Sequence, residues 1–208
     1  MFGIIGYQSF ILSSILLNLT PGADTIYILT KSTLGGKRKG IISALGISTG
    51  VLIHTILVAL GLSVVLAESP VIFNIMKICG ALYLGIMGIK TLVSSKNLIG
   101  DDTGDTVRES AFKIYRQGVL TNALNPKVAL FFLALLPQFV SADNGYGPLP
   151  FLILGITFFC TSTVWCVIVA FLSSKLSGLL TKNEKIKTIA NKLTGVIYIL
   201  LGLNILRA

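Results

Sequence analysis

The amino-acid sequence predicts an all-α membrane protein: six transmembrane helices as two inverted three-helix repeats, with broken first and fourth helices. Three observations carry that prediction. The 208 residues are 53% hydrophobic and only 12% charged, with a mean hydropathy of +0.86. That is too apolar for a water-soluble domain of this length to hide in one core. The apolar runs are about 20 residues long, the length a helix needs to cross a ~30 Å hydrocarbon core. Two of the runs contain a proline step, Thr20-Pro21 and Asn125-Pro126, and proline removes a backbone donor and clashes with the preceding turn of a helix.

In chain order the expected spans cover about residues 4–30, 41–67, 71–89, 117–140, 149–172 and 189–206. The first contains the break at Thr20-Pro21-Gly22. The second carries His54 and no formal charge. The third follows Glu68-Ser69-Pro70. The fourth holds Asn125-Pro126-Lys127, and Pro137, Gln138 and Pro148 mark the turn that leads to the fifth. The sixth runs nearly to the last residue.

Orientation follows from the basic residues, since cytoplasmic links are enriched in Lys and Arg. Most of the 17 fall on one side. Lys31, Lys37, Arg38 and Lys39 follow the first span. Lys90, Lys96, Arg108, Lys113 and Arg116 follow the third. Lys175, Lys182, Lys185, Lys187 and Lys192 follow the fifth or open the sixth. These links are expected in the cytoplasm, which places both termini outside. Lys77 and Lys192 lie near span ends and are expected to snorkel.

The net charge of +9 is read as orientation and contact with anionic membrane lipid, not nucleic-acid binding, because no basic face carries interleaved aromatics. Cys79, Cys160 and Cys166 all lie in apolar runs without a C-x-x-C pair, so they read as small buried hydrophobes. With a single His there is no set of metal-ligand spacing, and no metal or cofactor is expected. No basic region precedes the first apolar run, so a removable signal peptide is not expected. The polar stretch with Asp101, Asp102 and Asp105 lacks the ligand alternation of an EF-hand and reads as a solvated linker.

The chain repeats itself. Lys77-x-x-Gly80-x-x-Tyr83 recurs as Lys192-x-x-Gly195-x-x-Tyr198, and Leu19-Thr20-Pro21 as Leu124-Asn125-Pro126. The expected division is residues 1–94 as the first three-helix repeat, 95–112 as a cytoplasmic linker and 113–208 as the second repeat. An odd number of spans per repeat makes the second copy enter from the opposite face, the inverted arrangement of many secondary transporters. Pro21 precedes Lys31 by ten residues and Pro126 follows Arg116 by ten. Each break therefore lies about 15 Å from the cytoplasmic surface, near mid-membrane.

Broken helices at mid-depth expose N–H groups and carbonyls of opposite partial charge, which suit a zwitterion that would otherwise lose its hydration. The candidate substrate-binding residues are Asn18, Thr20, Pro21, Gly22 and Asp24 at the first break, and Asn122, Asn125, Pro126 and Lys127 at the second. Charges inside a membrane are expensive and mark function by default. Asp24 has two readings, holding a substrate ammonium or carrying a proton. Lys127 also has two, holding a carboxylate or neutralising Asp24. A purely stabilising ion pair is the alternative to both. Gly46, Gly50 and His54, four apart, share one face where another helix can approach closely. His54 is a proton-coupling candidate beside Asp24, or simply a hydrogen-bonded side chain. Tyr83 and Tyr198, the repeat mates, are candidates for lining the path or for packing. Trp165 reads as a packing or lipid-facing residue.

These residues resemble a known family. Asn18-Leu-Thr-Pro-Gly-Ala-Asp24 is similar to the N-x-T-P-G-P-D signature of the LysE/RhtB amino-acid exporters, with Ala23 in place of the usual second proline. Asn122-Ala-Leu-Asn-Pro-Lys127, followed by Leu135-Leu-Pro-Gln-Phe139, is similar to their second signature. The resemblance implies efflux of an amino acid or close derivative from a bacterial cytoplasm across the inner membrane, driven by protons. A neutral substrate such as threonine or homoserine is expected, because a basic one needs a second interior acid. A homodimer is expected, because six short spans offer little surface for a sealed path. A metal-ion or other small-solute exporter and a membrane-embedded enzyme are the alternatives, and both lack their ligand or nucleophile sets in this sequence.

Overall fold

A computed structural model describes residues 2–68, 109–141 and 143–182, together with single positions within 71–93 and 192–203. Most of the expected third and sixth spans, linker residues 95–108, and Tyr83 and Tyr198 lie outside the described residues. Within them the fold is helical apart from one isolated antiparallel bridge between Ile4 and Val140.

The elements are α1 (Tyr7–Leu19), α2 (Ala23–Glu68), α3 (Ala111–Ala123), α4 (Pro126–Leu130) and α5 (Leu149–Lys182). After α4 the helix widens to π geometry over Phe131–Leu135 and tightens to a 3-10 turn over Leu136–Phe139. Pro137, which cannot donate a backbone hydrogen bond, sits at the start of that last turn, where a missing N–H does least harm.

Among the described residues, Gly35–Gly61 and Leu149–Leu172 are each long and apolar enough to cross a membrane alone. Tyr7–Leu19 with Ala23–Thr33, and Ala111–Ala123 with Pro126–Phe139, pass only as pairs bent by 50° and 44°. The bends fall at the two proline steps. The link expected between the first and second spans is tighter than the basic run suggested. Helix continues through the basic Lys31, and the kink between the two arms falls at Gly36, with φ 73° and ψ 177°. That backbone region is open essentially to glycine alone, which is why the chain turns there.

The second arm of α2 packs against both α3 and α5. A Cβ at Gly46 would overlap the Tyr115 carbonyl and stand 3.1 Å from the Gly118 Cα, so the two backbones touch. A Cβ at Gly50 would meet the Asn122 side chain at 2.6 Å. The Gly46–Gly50–His54 face thus does what its spacing implies, admitting α3 to within backbone contact. Gly46→Ala is expected to lower stability by about 1–3 kcal/mol through overpacking against backbone that has no room to give. Gly61→Ala, whose Cβ would meet nothing within 4 Å, should stay within about 0.5 kcal/mol. Thermal unfolding of the purified protein in detergent reads both.

Two apolar clusters flank the breaks. One is phenylalanine-rich, with Phe10, Phe131, Phe132, Phe139, Phe151 and Phe158. The other lies toward Gly36 and joins Ile28, Ile47, Cys166 and Val169. Near the breaks the buried positions include polar Thr20, His54, Asn122, Asn125 and Ser162.

Candidate functional site

The first break is built locally. Thr20 leaves helical geometry with ψ 122°, while its N–H still reaches the Leu16 and Leu17 carbonyls. Its hydroxyl donates to the Leu17 carbonyl at 2.6 Å. Pro21 has no N–H to continue the ladder. Helix restarts at Ala23, with Asp24 in its first turn, where the helix dipole favours a carboxylate. The second break is a capped restart. Asn125 is extended, its Oδ1 accepts from the Lys127 N–H at 3.0 Å, and Pro126 takes the first helical position, where a missing N–H does no harm.

Each break then supplies a partner to the other. The Lys127 ammonium donates to the Thr20 carbonyl at 3.0 Å, the Leu17 carbonyl at 3.2 Å and the Thr20 hydroxyl at 3.3 Å. It therefore caps the C-terminal end of α1, where unpaired carbonyls concentrate negative partial charge. Gly22 leaves room for it, since a Cβ there would stand 3.3 Å from the Lys127 Nζ. In the other direction, Asn122 Nδ2 donates to Asp24 Oδ2 at 2.9 Å. His54 Nε2 lies 3.1 Å from the Asn122 carbonyl, and its ring stacks on Phe132 at 5.7 Å. Among the described residues, His54 thus joins Asp24 through Asn122.

Asp24 and Lys127 line one small cavity with Asn18, Ser162, Trp165 and Cys166. No ion pair within 4 Å joins the two charges among the described residues. The space open to the centre of a water-sized sphere is ≈ 20 Å³, enough for about one water and too small for an amino acid. Several buried polar atoms here have no hydrogen-bond partner among the described residues. Asp24 Oδ1 and Asn122 Oδ1 are acceptors, and Asn125 Nδ2 and Trp165 Nε1 are donors. Unsatisfied buried groups cost about 1–3 kcal/mol each, so a site that keeps both kinds is poised for a ligand with both kinds of partner. Among the described residues no three His, Cys, Asp or Glu side chains converge as a metal set.

The structure therefore brings together Asn18, Thr20, Gly22, Asp24, Asn122, Asn125 and Lys127, with Pro21 and Pro126 shaping the backbone. Sequence reasoning missed what α5 contributes: Ser162, Trp165 and Cys166. The available signal was the hydroxyl run Thr161-Ser162-Thr163 inside an otherwise apolar span.

Side-chain contacts flank the crossing on both sides among the described residues. Toward Gly36, the Tyr27 hydroxyl donates to the Ile114 carbonyl at 2.7 Å. Lys31 pairs with Glu109 at 2.5 Å, and Lys113 lies 3.6 Å from the same carboxylate. At the opposite end Phe10 packs on Phe139 at 5.3 Å and Phe131 on Phe158 at 4.6 Å. The Ile5 N–H donates to the Phe139 carbonyl there at 2.9 Å.

The hydrogen bond from Lys31 holds the Glu109 carboxyl below its ordinary value of 4.5, against the opposing effect of burial and with help from Lys113. A carboxyl lowered on folding stabilises the fold above its unfolded value and loses that contribution as pH falls through its folded value. The latch is therefore complete well above pH 4.5 and weakens below it. Glu109→Gln should lower the thermal midpoint by about 1–3 °C near neutral pH. The gap to wild type should close as the buffer is taken below pH 4.5.

Discontinuous helices that meet over half-buried charges define a class, the helical membrane transporters with broken spans. The sequence model of the LysE type translocators matches residues 15–208, and the chain belongs to that family. It is a multi-pass membrane translocator and not an enzyme. An uncharacterized membrane protein of Bacillus subtilis, YrhP, is 30% identical over 192 residues, covering 89% of this chain and 90% of its own. A leucine efflux protein of Klebsiella pneumoniae is 25% identical over 198 residues, covering 95% and 93%. An uncharacterized membrane protein of Vibrio cholerae is 29% identical over 200 residues, covering 95% and 94%. No solved structure matches the chain.

Proposed function

We propose that this protein exports a neutral amino acid from the cytoplasm across a bacterial inner membrane, by proton antiport with alternating access. Family membership and the leucine efflux proteins among its relatives support amino-acid export. The observation that carries the site is the exchange of partners between the breaks, Lys127 held by the first and Asp24 by the second. In this reading Asp24 Oδ1 receives the substrate ammonium or a proton, and the unpaired N–H donors receive the carboxylate. Asp24 is the one acid lining the cavity among the described residues, which supports a neutral substrate over a basic one. His54, joined to Asp24 through Asn122, is the proton-coupling partner.

The cavity admits no amino acid as it stands, so transport needs the Lys31–Glu109 closure and the phenylalanine closure to open in turn. The reading includes two inverted repeats, 1–94 and 113–208, joined by the 95–112 linker, with both termini outside and two copies forming a homodimer. Expression should protect bacteria against inhibitory concentrations of neutral amino acids or of dipeptides that release them. Protection against metal salts alone would overturn the reading.

A further inference from the structure

A second space adjoins the cavity. It is a groove of ≈ 350 Å³ between α1 and α5, at the lower end of the about 300–1,000 Å³ typical of small-molecule sites. Its walls are apolar: Ile15 and Leu19 from α1, Val164 and Ile168 from α5. Asn18 and Trp165 line both the groove and the cavity of Asp24 and Lys127. Among the described residues, these two are the ones shared by the apolar space and the charged one. There Asn18 donates to the Thr161 hydroxyl at 3.3 Å, and the Trp165 indole N–H is buried without a partner among the described residues.

We infer that this groove takes the substrate's side chain, and that the substrate is a neutral amino acid whose side chain is long and apolar. The inference rests on the export reading and deepens it. From a zwitterion seated between Asp24 and Lys127, the apolar walls shown by the described residues lie past Asn18 and Trp165, in the groove. An indole N–H is a donor only, so it complements the carboxylate of such a substrate. A lipid acyl chain in the groove would offer that N–H nothing. A hydroxyl side chain such as that of threonine or homoserine would leave its own oxygen unpaired against Ile15, Val164 and Ile168, an unfavourable burial.

Cys160 lines the same groove and is an exposed free thiol, which makes occupancy measurable in the wild-type chain. The first measurement is alkylation of Cys160 by a water-soluble maleimide in inverted vesicles, read by peptide mass spectrometry. Leucine is expected to slow labelling several-fold, and threonine at equal concentration is expected to leave it fast. Equal protection by both, or none by either, overturns the inference. So does a thiol that never reacts with the water-soluble reagent, the result expected if lipid or a second copy of the chain fills the groove.

The second measurement is export by a Val164→Trp variant, which fills the groove. It should lower leucine export relative to alanine export about tenfold or more, the range in which apolar pockets discriminate by size. A proportional loss of both, with folded protein at the wild-type level, would overturn the inference. If wild-type vesicles move no amino acid at all, the export reading itself fails. If they move threonine and alanine but not leucine, export stands and the groove inference falls.

Discussion

Asp24→Asn is expected to abolish export, lowering its rate by a hundredfold or more while leaving the amount of folded protein within about twofold. The substitution keeps the shape and keeps an oxygen for the Asn122 amide, which now donates to Asp24 Oδ2 at 2.9 Å. What it removes is the negative charge and the acceptor Oδ1, buried without a partner among the described residues. Losing one member of a half-buried charged site is worth about 3 kcal/mol, the low end for buried pairs, and each 1.4 kcal/mol is about a factor of ten. Exchange of labelled for unlabelled amino acid, with no proton gradient, separates the two readings of Asp24. A proton carrier leaves exchange near wild type, and an ammonium ligand loses exchange as well. Wild-type export by a normally expressed Asp24→Asn protein would exclude both roles.

Lys127→Met should be the more damaging change to the fold. The ammonium reaches across from α4 to the Thr20 carbonyl at 3.0 Å and to the Leu17 carbonyl at 3.2 Å. Leu17 keeps a donor in the Thr20 hydroxyl, but the Thr20 carbonyl loses the hydrogen bond that this ammonium gives it. A hydrogen bond to a charged group is worth about 1.5–3 kcal/mol, so the thermal midpoint should fall by several degrees and export by about tenfold or more. Lys127→Arg should not rescue it, because the planar guanidinium is larger than an ammonium and the cavity offers only ≈ 20 Å³. The double variant with Asp24→Asn tests whether the charges sense one another without a direct contact. Coupling of at least about 0.5 kcal/mol in unfolding is expected, and strict additivity would show that they act independently.

Much of this arrangement was legible in the sequence because it is local. Pro21 and Pro126 lack the N–H a helix needs, so the breaks could be placed to the residue. The spacing of Gly46, Gly50 and His54 announced a face that another helix could approach to backbone distance. The start of the fifth span at 149 follows from hydropathy alone and coincides with the first residue of α5, Leu149–Lys182.

What was not legible is tertiary. Nothing in the chain says that Asp24 is held by Asn122, 98 positions away, or that Lys127 turns to the carbonyls of α1. Glu109 ends a polar stretch that reads as solvated linker, yet it is tied to Lys31, 78 positions earlier. Gly36 sits in a basic run that reads as a link between spans, and only its backbone angles reveal the kink. Trp165 reads as packing because an indole in an apolar span usually is. Its place between cavity and groove depends on how α1 and α5 are spaced, which periodicity does not encode.

The central claim is that the crossing of Asp24 and Lys127 serves proton-driven export of a neutral amino acid. Uptake of a panel of radiolabelled amino acids by inverted vesicles, with and without an imposed proton gradient, tests it most directly. The account predicts gradient-dependent accumulation of a neutral amino acid, collapsed by a protonophore and absent with Asp24→Asn at equal expression. Accumulation that ignores the gradient, or that is confined to basic amino acids, would contradict it.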